Sequence, residues 1–476
     1  MSDKTRICLV NPPLEGPYPP LGLAYLASYL KKYEQGKYIL CIIDGNHSKD
    51  VVRDILAFKP DIVGFTALSP QIALTVKFSR IIRGKAPQIF QIIGGIHVSA
   101  EPEQTLRKGS FDIGILGEGE ETFREVVGLV RGGRQGYEAF RSVAGLAFIK
   151  GVEFIRTPSR PEIMPLESIP VPDRSLFNME RYLSHYLVIR GLSGNRITTL
   201  HTSRGCPYDC VFCSCGIVFK KVRYFPVDYV IAEVKELIRV HKVKSLFFTD
   251  DTFIINKDRV RQICNRFIAE GINKQLKWEV QGRANLIDWQ DLDLLKLMKD
   301  AGCVQVDYGF ETGSDKILKF LKKTDVSIDF NQRAIEVTKD AGLKVMGTFM
   351  VGIPGESEDD LLMTRDFIIR NISKIDHFQT FIATPYPGAE LNEICKERGL
   401  VEADYFAQFA KEQANPCAMY YCDTVSQEKA ISVQKFLNKL ALDKVSLKDK
   451  ALWLMYNLVK SPIGVFRKVT GVFKKA

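Results

Sequence analysis

The stretch Cys206-Pro207-Tyr208-Asp209-Cys210-Val211-Phe212-Cys213 constrains this chain more than any other. Three cysteines at C-x-x-x-C-x-x-C spacing fall within one short loop, which can curl its side chains inward so that the thiolates converge. A cubane 4Fe–4S cluster has four irons, so three thiolates leave one iron open to a ligand from outside the protein. Two blander readings of the same residues are a zinc site and three incidental buried cysteines. Zinc takes a fourth ligand at a matched distance and favours paired C-x-x-C knuckles. Cys215 is nearby, but no second pair follows at zinc-ribbon distance. The cluster is therefore the expectation, with Cys206, Cys210 and Cys213 as ligands and Cys215 as a bystander.

The chain leading to this loop alternates short apolar runs with helical spacing. Residues 6–11 form an apolar run that stops at Pro12-Pro13, which reads as a buried strand and a loop. Residues 21–30 have helical apolar spacing, and strand-like runs recur at 38–43, 61–66, 89–93 and 112–115. Such alternation predicts an α/β, doubly wound parallel sheet of Rossmann-like type, covered on both faces. Ligands of these sheets sit beyond the carboxyl ends of the strands. The Gly- and Pro-rich stretches fall there: Asn11-Pro12-Pro13, Ser69-Pro70, Gly94-Gly95-Ile96-His97 and Gly117-Glu118-Gly119-Glu120. Glycines at these ends let backbone approach a bulky ligand, or simply turn the chain. A first domain is expected over residues 1–135. Residues 136–190 read as a connector with a small hairpin, at 143–149 and 152–155, followed by a proline-marked linker.

A second domain is expected over 191–400. A β-branched run at 196–202 leads into the cysteine loop, and strands are expected at 245–249, 277–281, 304–309, 344–351 and 377–383. Six strands with helices between them follow α/β-barrel logic, with chemistry at the strand C-termini. Asp250-Asp251 after the second strand suits proton transfer or helix capping. Arg283 ends the third strand, where a guanidinium suits a carboxylate ligand or a structural ion pair. Gly309-Phe310-Glu311-Thr312 ends the fourth, Gly352-Ile353-Pro354-Gly355-Glu356 the fifth, and Pro385-Tyr386-Pro387-Gly388 follows the sixth.

In order and register these motifs resemble the cobalamin-binding radical S-adenosylmethionine (radical SAM) enzymes, of the class B methyltransferase type. The aromatic Phe212 before the last cysteine belongs to that resemblance. Its N-terminal part covers about residues 5–130, through Pro12-Pro13, Pro19-Pro20-Leu21-Gly22, Gly94-Gly95-x-His97 and Gly117-Glu118-Gly119-Glu120-x-Thr122. The resemblance implies an N-terminal cobalamin-binding domain covering the open mouth of a partial (β/α)6 barrel, with a 4Fe–4S cluster, S-adenosylmethionine (SAM) and cobalamin as cofactors. For SAM it implies Phe212, Gly309, Gly352 and Gly355, with Glu311 on the amino group and Arg283 on the carboxylate, these last two ranked as catalytic. For cobalamin it implies Pro12, Pro13, Ser69, Gly94, Gly95, His97, Gly117, Glu118 and Gly119. The activity implied is reductive cleavage of SAM and methylation of an unactivated carbon in a small-molecule or lipid substrate, fed by a flavodoxin- or ferredoxin-type reductant. Ring formation or rearrangement on the same scaffold is the second expectation. A non-catalytic Fe–S carrier or sensor is a third, and a carrier needs no SAM pocket.

One departure matters. Many cobalamin domains carry Asp-x-His-x-x-Gly, whose histidine ligates the lower face of cobalt. Here the loop reads Asp44-Gly45-Asn46-His47, with Asn46 at the histidine position, Lys49 at the glycine position and His47 one residue out of place. This implies cobalamin without protein histidine on its lower face, or a domain that has lost cobalamin.

At 476 residues the chain exceeds one ordinary core, and 46% hydrophobic with 26% charged residues marks it as globular. Eleven cysteines are too sparse for a disulfide scaffold and fit a reducing cytoplasm. The first residues lack a signal-peptide apolar region, and no apolar run reaches membrane-spanning length. A net charge of +10 suits nucleic acid, an anionic membrane or a basic solvated surface, but no nucleic-acid recognition motif is present and no nucleic-acid partner is expected. Residues 401–476 read as helical. The segment 451–476 is apolar and aromatic with basic residues and no acidic one, which suits peripheral contact with an anionic membrane or a helical cap on the barrel.

Overall fold

The structure is a computed structural model that describes residues 4–14, 18–183, 196–322, 326–401 and 420–445. The chain gathers into two compact units, each discontinuous in sequence. Met1–Met179, Arg204–Phe225 and Thr384–Tyr421 form the first; Glu180–Ser203, Pro226–Ala383 and Cys422–Ala476 form the second.

The first unit is built on a seven-stranded sheet. Its strands are β1 (Thr5–Asn11), β2 (Tyr38–Asp44), β3 (Ile62–Thr66), β4 (Phe90–Gly94), β5 (Ile113–Ile115), β6 (Leu146–Lys150) and β7 (Glu153–Arg156). They lie in the order β2-β1-β3-β4-β5-β6-β7, with β1 to β5 parallel. Side chains alternate across a strand, so both faces can be buried. Cys8, Val10, Val63, Phe65 and Ile93 pack with Val51, Ile55, Ile72 and Val76 from the helices Val51–Phe58 and Ile72–Lys85. Ile7, Leu9, Ile62 and Ile92 pack on the other face with Leu23, Leu30, Phe123 and Val127 from Leu21–Tyr33 and Glu120–Arg131. Two-sided burial is why these strands read as continuous apolar runs. Strand order reverses at β1/β3, which opens a crevice at the carboxyl ends.

The hairpin expected in the connector forms, and its place is in this sheet. β6 pairs antiparallel with β5, and β7 with β6, so a parallel sheet acquires an antiparallel edge.

The second unit holds six parallel strands in chain order, the arrangement of a half barrel. They are β8 (Ile197–Leu200), β11 (Ser245–Phe248), β12 (Lys277–Gly282), β13 (Cys303–Glu311), β14 (Lys344–Val351) and β15 (His377–Ile382). Between β8 and β11 in the chain come β9 (Ser203–Arg204) and β10 (Arg223–Tyr224), which pair as a short ribbon at the base of the cysteine loop. β15 is an edge strand, and an uncovered strand edge is a liability for aggregation. The helix Gln427–Lys444 covers it: Asn438 accepts from Thr380 N–H at 3.0 Å and donates to Thr380 C=O at 3.0 Å, and Gln434 donates to the same carbonyl at 3.1 Å. Among the described residues no helix is long and apolar enough to cross a membrane. The segment 451–476, with its expected membrane contact, lies outside the described residues.

Candidate active site

In the first unit the cysteine loop opens on Gly205, whose φ is +89°. A Cβ there would stand 2.3 Å from the Lys221 carbonyl oxygen, so only glycine lets the loop close on its own base. Cys206 and Cys210 are half-buried and Cys213 is exposed, and the ten described cysteines carry no disulfide. Cys213 N–H donates to Cys210 C=O at 2.9 Å, and Cys215 N–H donates to the Cys213 sulfur at 3.4 Å. A backbone donor of this kind stabilises a thiolate. Phe212 is half-buried in the same turn. The segment Pro385-Tyr386-Pro387-Gly388 packs on this loop: Ser214 donates to Pro387 C=O at 3.3 Å, and Leu391 N–H to Val211 C=O at 2.7 Å.

Two arginines stand at the loop base. Arg204 bonds Glu118 at 2.8 Å and Glu120 at 2.6 Å, while Arg223 bonds both Glu118 oxygens at 2.8 and 2.9 Å. Ile163 N–H donates to Glu118 at 2.8 Å. Burial raises the Glu118 carboxyl, but Arg223 and Arg204 outweigh it and hold its pKa below the usual value. The Glu118 side chain, implied at cobalamin by resemblance, is thus wholly committed to this network. Neither arginine has a spacing signal in the sequence.

The loops at the strand ends of the first sheet are knit together. Gly95 has φ +104°, and a Cβ would meet the Ala67 carbonyl oxygen at 2.9 Å, so glycine is required on both counts. Gly94 has only ordinary contacts at that position. Ser69 and His97 are both buried and joined through Oγ and Nδ1 at 3.0 Å. Burial pushes His97 down to about 4, so its ring is neutral. Pro12 C=O accepts from Gln71 at 2.6 Å, and Pro13 packs where a Cβ on Gly45 would stand, 2.4 Å away. Asn46 accepts from Leu14 N–H at 2.9 Å, so its oxygen organises the proline turn. Gly117 has φ +74° and open space where its Cβ would be, and Gly119 precedes the helix Glu120–Arg131.

In the second unit the acidic pair after β11 divides. Asp250, 1% exposed, accepts from Thr202 N–H at 3.1 Å, from the Thr202 hydroxyl at 2.8 Å and from the Ser203 hydroxyl. Arg259 adds bonds to the Thr202 hydroxyl and carbonyl at 3.0 and 2.8 Å. Asp250 therefore ties down the exit of β8, neither capping a helix nor sitting open for proton transfer; Asp251 is exposed. Arg283 is buried and donates through Nε to Asn285 at 2.8 Å. Glu311 ends β13 at φ +66°, next to a register shift at Gly309/Glu311. A non-glycine residue held left-handed at a strand end is strained, and such strain concentrates at functional sites. Its carboxylate folds back over Gly309, where a Cβ would meet Oε1 at 2.3 Å. Lys322, which the sequence reading missed, is buried, pairs with Glu311 at 3.4 Å and donates to Gly309 C=O at 2.7 Å. In the turn after β14, Gly352 and Gly355 have φ +73° and +81°. Glu356 accepts from Gly352 and Ile353 N–H at 2.7 and 3.3 Å. Burial pushes its carboxyl up to about 7.

The donors fit the implied cofactors. Among the described residues no three Cys, His, Asp or Glu side chains gather at single-ion spacing. Cys206, Cys210 and Cys213 supply three thiols within eight residues, the donor type and number that a cluster with one open iron takes. Of the glycines at these strand ends, Gly117 has open space where its Cβ would be, whereas Gly95 packs on Ala67 and the N–H groups of Gly352 and Gly355 donate to Glu356 and Asp423.

Residues 200–368 match the radical SAM superfamily and residues 8–127 the B12 binding domain. An uncharacterized methyltransferase of Pyrococcus horikoshii is 34% identical over 401 residues, 82% of each chain. An anaerobic magnesium-protoporphyrin IX monomethyl ester cyclase of Cereibacter sphaeroides is 30% identical over 75% of this chain and 58% of its own length. The radical SAM methyltransferase TsrM of Kitasatospora setae, solved with cobalamin and a 4Fe–4S cluster bound, shares the fold. Its TM-score is 0.66 at 18% identity, covering 84% of this chain and 79% of that one.

Proposed function

Because the chain belongs to the radical SAM enzymes that carry a B12-binding domain, with a 4Fe–4S cluster, SAM and cobalamin as cofactors, we propose that it methylates an unactivated carbon of a small-molecule or lipid substrate. The observation that carries this reading is that the cysteine loop belongs to the same compact unit as the B12-type sheet. One body of the protein thus holds the thiols for the cluster and the strand-end loops for the corrinoid. When bound, these cofactors supply reductive cleavage of SAM and a transferable methyl group.

The chain's own residues bind, orient and exclude water. Cys206, Cys210 and Cys213 provide three thiolates and leave one coordination position for SAM. Glu311 accepts the amino group of SAM and Arg283 takes its carboxylate, each a charge-assisted bond. The turn at Gly352 and Gly355 admits the adenosyl half against bare backbone, and Phe212 packs beside the cluster. Pro12, Pro13, Ser69, Gly94, Gly95, His97, Gly117 and Gly119 line the corrinoid. Asn46, whose oxygen accepts from Leu14 N–H, stands at the histidine position of the resembled motif and would offer cobalt no imidazole. A flavodoxin- or ferredoxin-type protein supplies electrons.

The test is anaerobic reconstitution with SAM, followed by mass spectrometry of lipid and polar extracts from a deletion strain supplied with the enzyme. Methylation requires both 5′-deoxyadenosine and S-adenosylhomocysteine, with a mass gain of one methylene in the product. The likeness to a cyclase favours a second reading, ring formation, which gives 5′-deoxyadenosine without S-adenosylhomocysteine.

A further inference from the structure

Glu118, Glu120, Arg204 and Arg223 form a quartet of opposed charges around the base of the cysteine loop, and all four belong to the first unit. The two arginines stand on the paired strands β9 and β10, on either side of Cys206, Cys210 and Cys213 in the chain. Glu118 lies in the loop between β5 and the helix Glu120–Arg131. Its carboxylate accepts four hydrogen bonds, from Arg204, twice from Arg223 and from Ile163 N–H. The Arg204 guanidinium also lies over the rings of Tyr25 and Phe219, 5.3 and 5.7 Å from their centroids. Side-chain exposure is 4% for Glu118 and Arg223, 6% for Glu120 and 10% for Arg204, so solvent screens these pairs little.

Apolar packing could attach one loop to another at less desolvation cost. Bidentate guanidinium–carboxylate pairs add fixed direction, which apolar contact does not. Gly117, the residue before Glu118, has no atom within 4 Å of where a Cβ would be. A ligand seated there bears on the peptide that carries the Glu118 carboxylate. We propose that Glu118 is a positioning residue which, through Arg204 and Arg223, makes the geometry of the cysteine-held cluster depend on corrinoid occupancy. The coupling is reciprocal, since a binding equilibrium at one site that shifts another is shifted by it equally.

This inference rests on the proposed function, and one experiment separates the two. Full-length protein is reconstituted anaerobically with and without hydroxocobalamin, and the reduced cluster is read by electron paramagnetic resonance. The variants are E118Q, R204K and, as a control on the same helix-bearing face, E125Q, whose partner is Arg160. In the wild type the cluster g-values shift on loading. E118Q and R204K keep iron and cobalamin within about twofold of the wild type, but their cluster signal broadens and no longer responds to hydroxocobalamin. E125Q behaves as the wild type. A wild-type response in E118Q and R204K, or no response in the wild type, overturns the coupling. So does failure of both variants to fold while E125Q folds, which would make the quartet a folding element only. Failure of the proposed function reads differently: the cluster-loaded wild type then makes 5′-deoxyadenosine without S-adenosylhomocysteine or a methylated product, whatever the variants do.

Discussion

Substitution of Glu311 separates the carboxylate from the backbone that presents it. Glu311→Gln keeps the shape and removes the charge. A charge-assisted hydrogen bond to a ligand contributes about 1.5–3 kcal/mol, so the SAM dissociation constant should rise about ten- to a hundredfold. Iron content should not change, because the cysteines lie elsewhere in the chain. The backbone contribution comes from comparing Glu311→Ala with Glu311→Gly, which both lack the carboxylate and both leave Lys322 without its counter-ion. At φ +66° an L-residue is strained by about 1–2 kcal/mol and glycine is not. Glycine's greater freedom in the unfolded chain takes back about 0.5–1 kcal/mol, which leaves the glycine variant more stable by up to about 1.5 kcal/mol. That reverses the usual order of alanine and glycine inside a strand. Equilibrium dialysis with labelled SAM on anaerobic protein measures the first effect, and denaturant midpoints of the same samples measure the second. Unchanged SAM affinity in Glu311→Gln would refute the ligand role. Alanine more stable than glycine would refute the strain.

Replacing Cys206, Cys210 or Cys213 by alanine should abolish the brown chromophore and 5′-deoxyadenosine formation, whereas Cys215→Ala should keep both; the reverse pattern would reassign the ligands. Glu356 has its carboxyl raised from 4.5 to about 7 chiefly by burial, with Asp360 adding to the rise and Lys316 opposing it. The native state then holds a proton the unfolded chain has lost, so this stabilisation is complete below about pH 4.5 and disappears as pH passes 7, by up to about 3 kcal/mol. Denaturation midpoints of Glu356→Gln should be flatter across that window, and parallel pH profiles for variant and wild type would count against it. For cobalt, the cob(II)alamin state bound to the protein should show no superhyperfine splitting from a protein nitrogen. Splitting that vanishes in a His47 or His97 variant would identify the ligand that Asn46 is not.

The alternation of strands and helices is legible in the sequence because burial on both faces writes apolar runs at β1, β3 and β11, while β13 and β15 alternate more and less buried residues. The cysteine loop is legible for a related reason: its three thiols lie within eight consecutive residues, so the chemistry is local. The glycines that turn left-handed at 95, 117, 352 and 355 fall where strand ends place them. Tertiary structure alone decides what each polar side chain does. Glu118 and Arg223 stand 105 residues apart in the chain, and no periodicity relates them. Asp250 looks like half of an acid pair until the bonds from Thr202 and Ser203 enclose it. Lys322 reaches Glu311 only because a helix returns to the end of β13, and Asn438 meets Thr380 only because a later helix covers the edge of β15. The hairpin at residues 146–156 is visible as a hairpin, but its union with β5 depends on which edge of the sheet lies open. Backbone propensity and hydrophobic pattern act over a few residues at a time. Hydrogen-bond satisfaction of buried charges is a condition on the whole fold, which is why the elements could be read along the chain and the partners of the site could not.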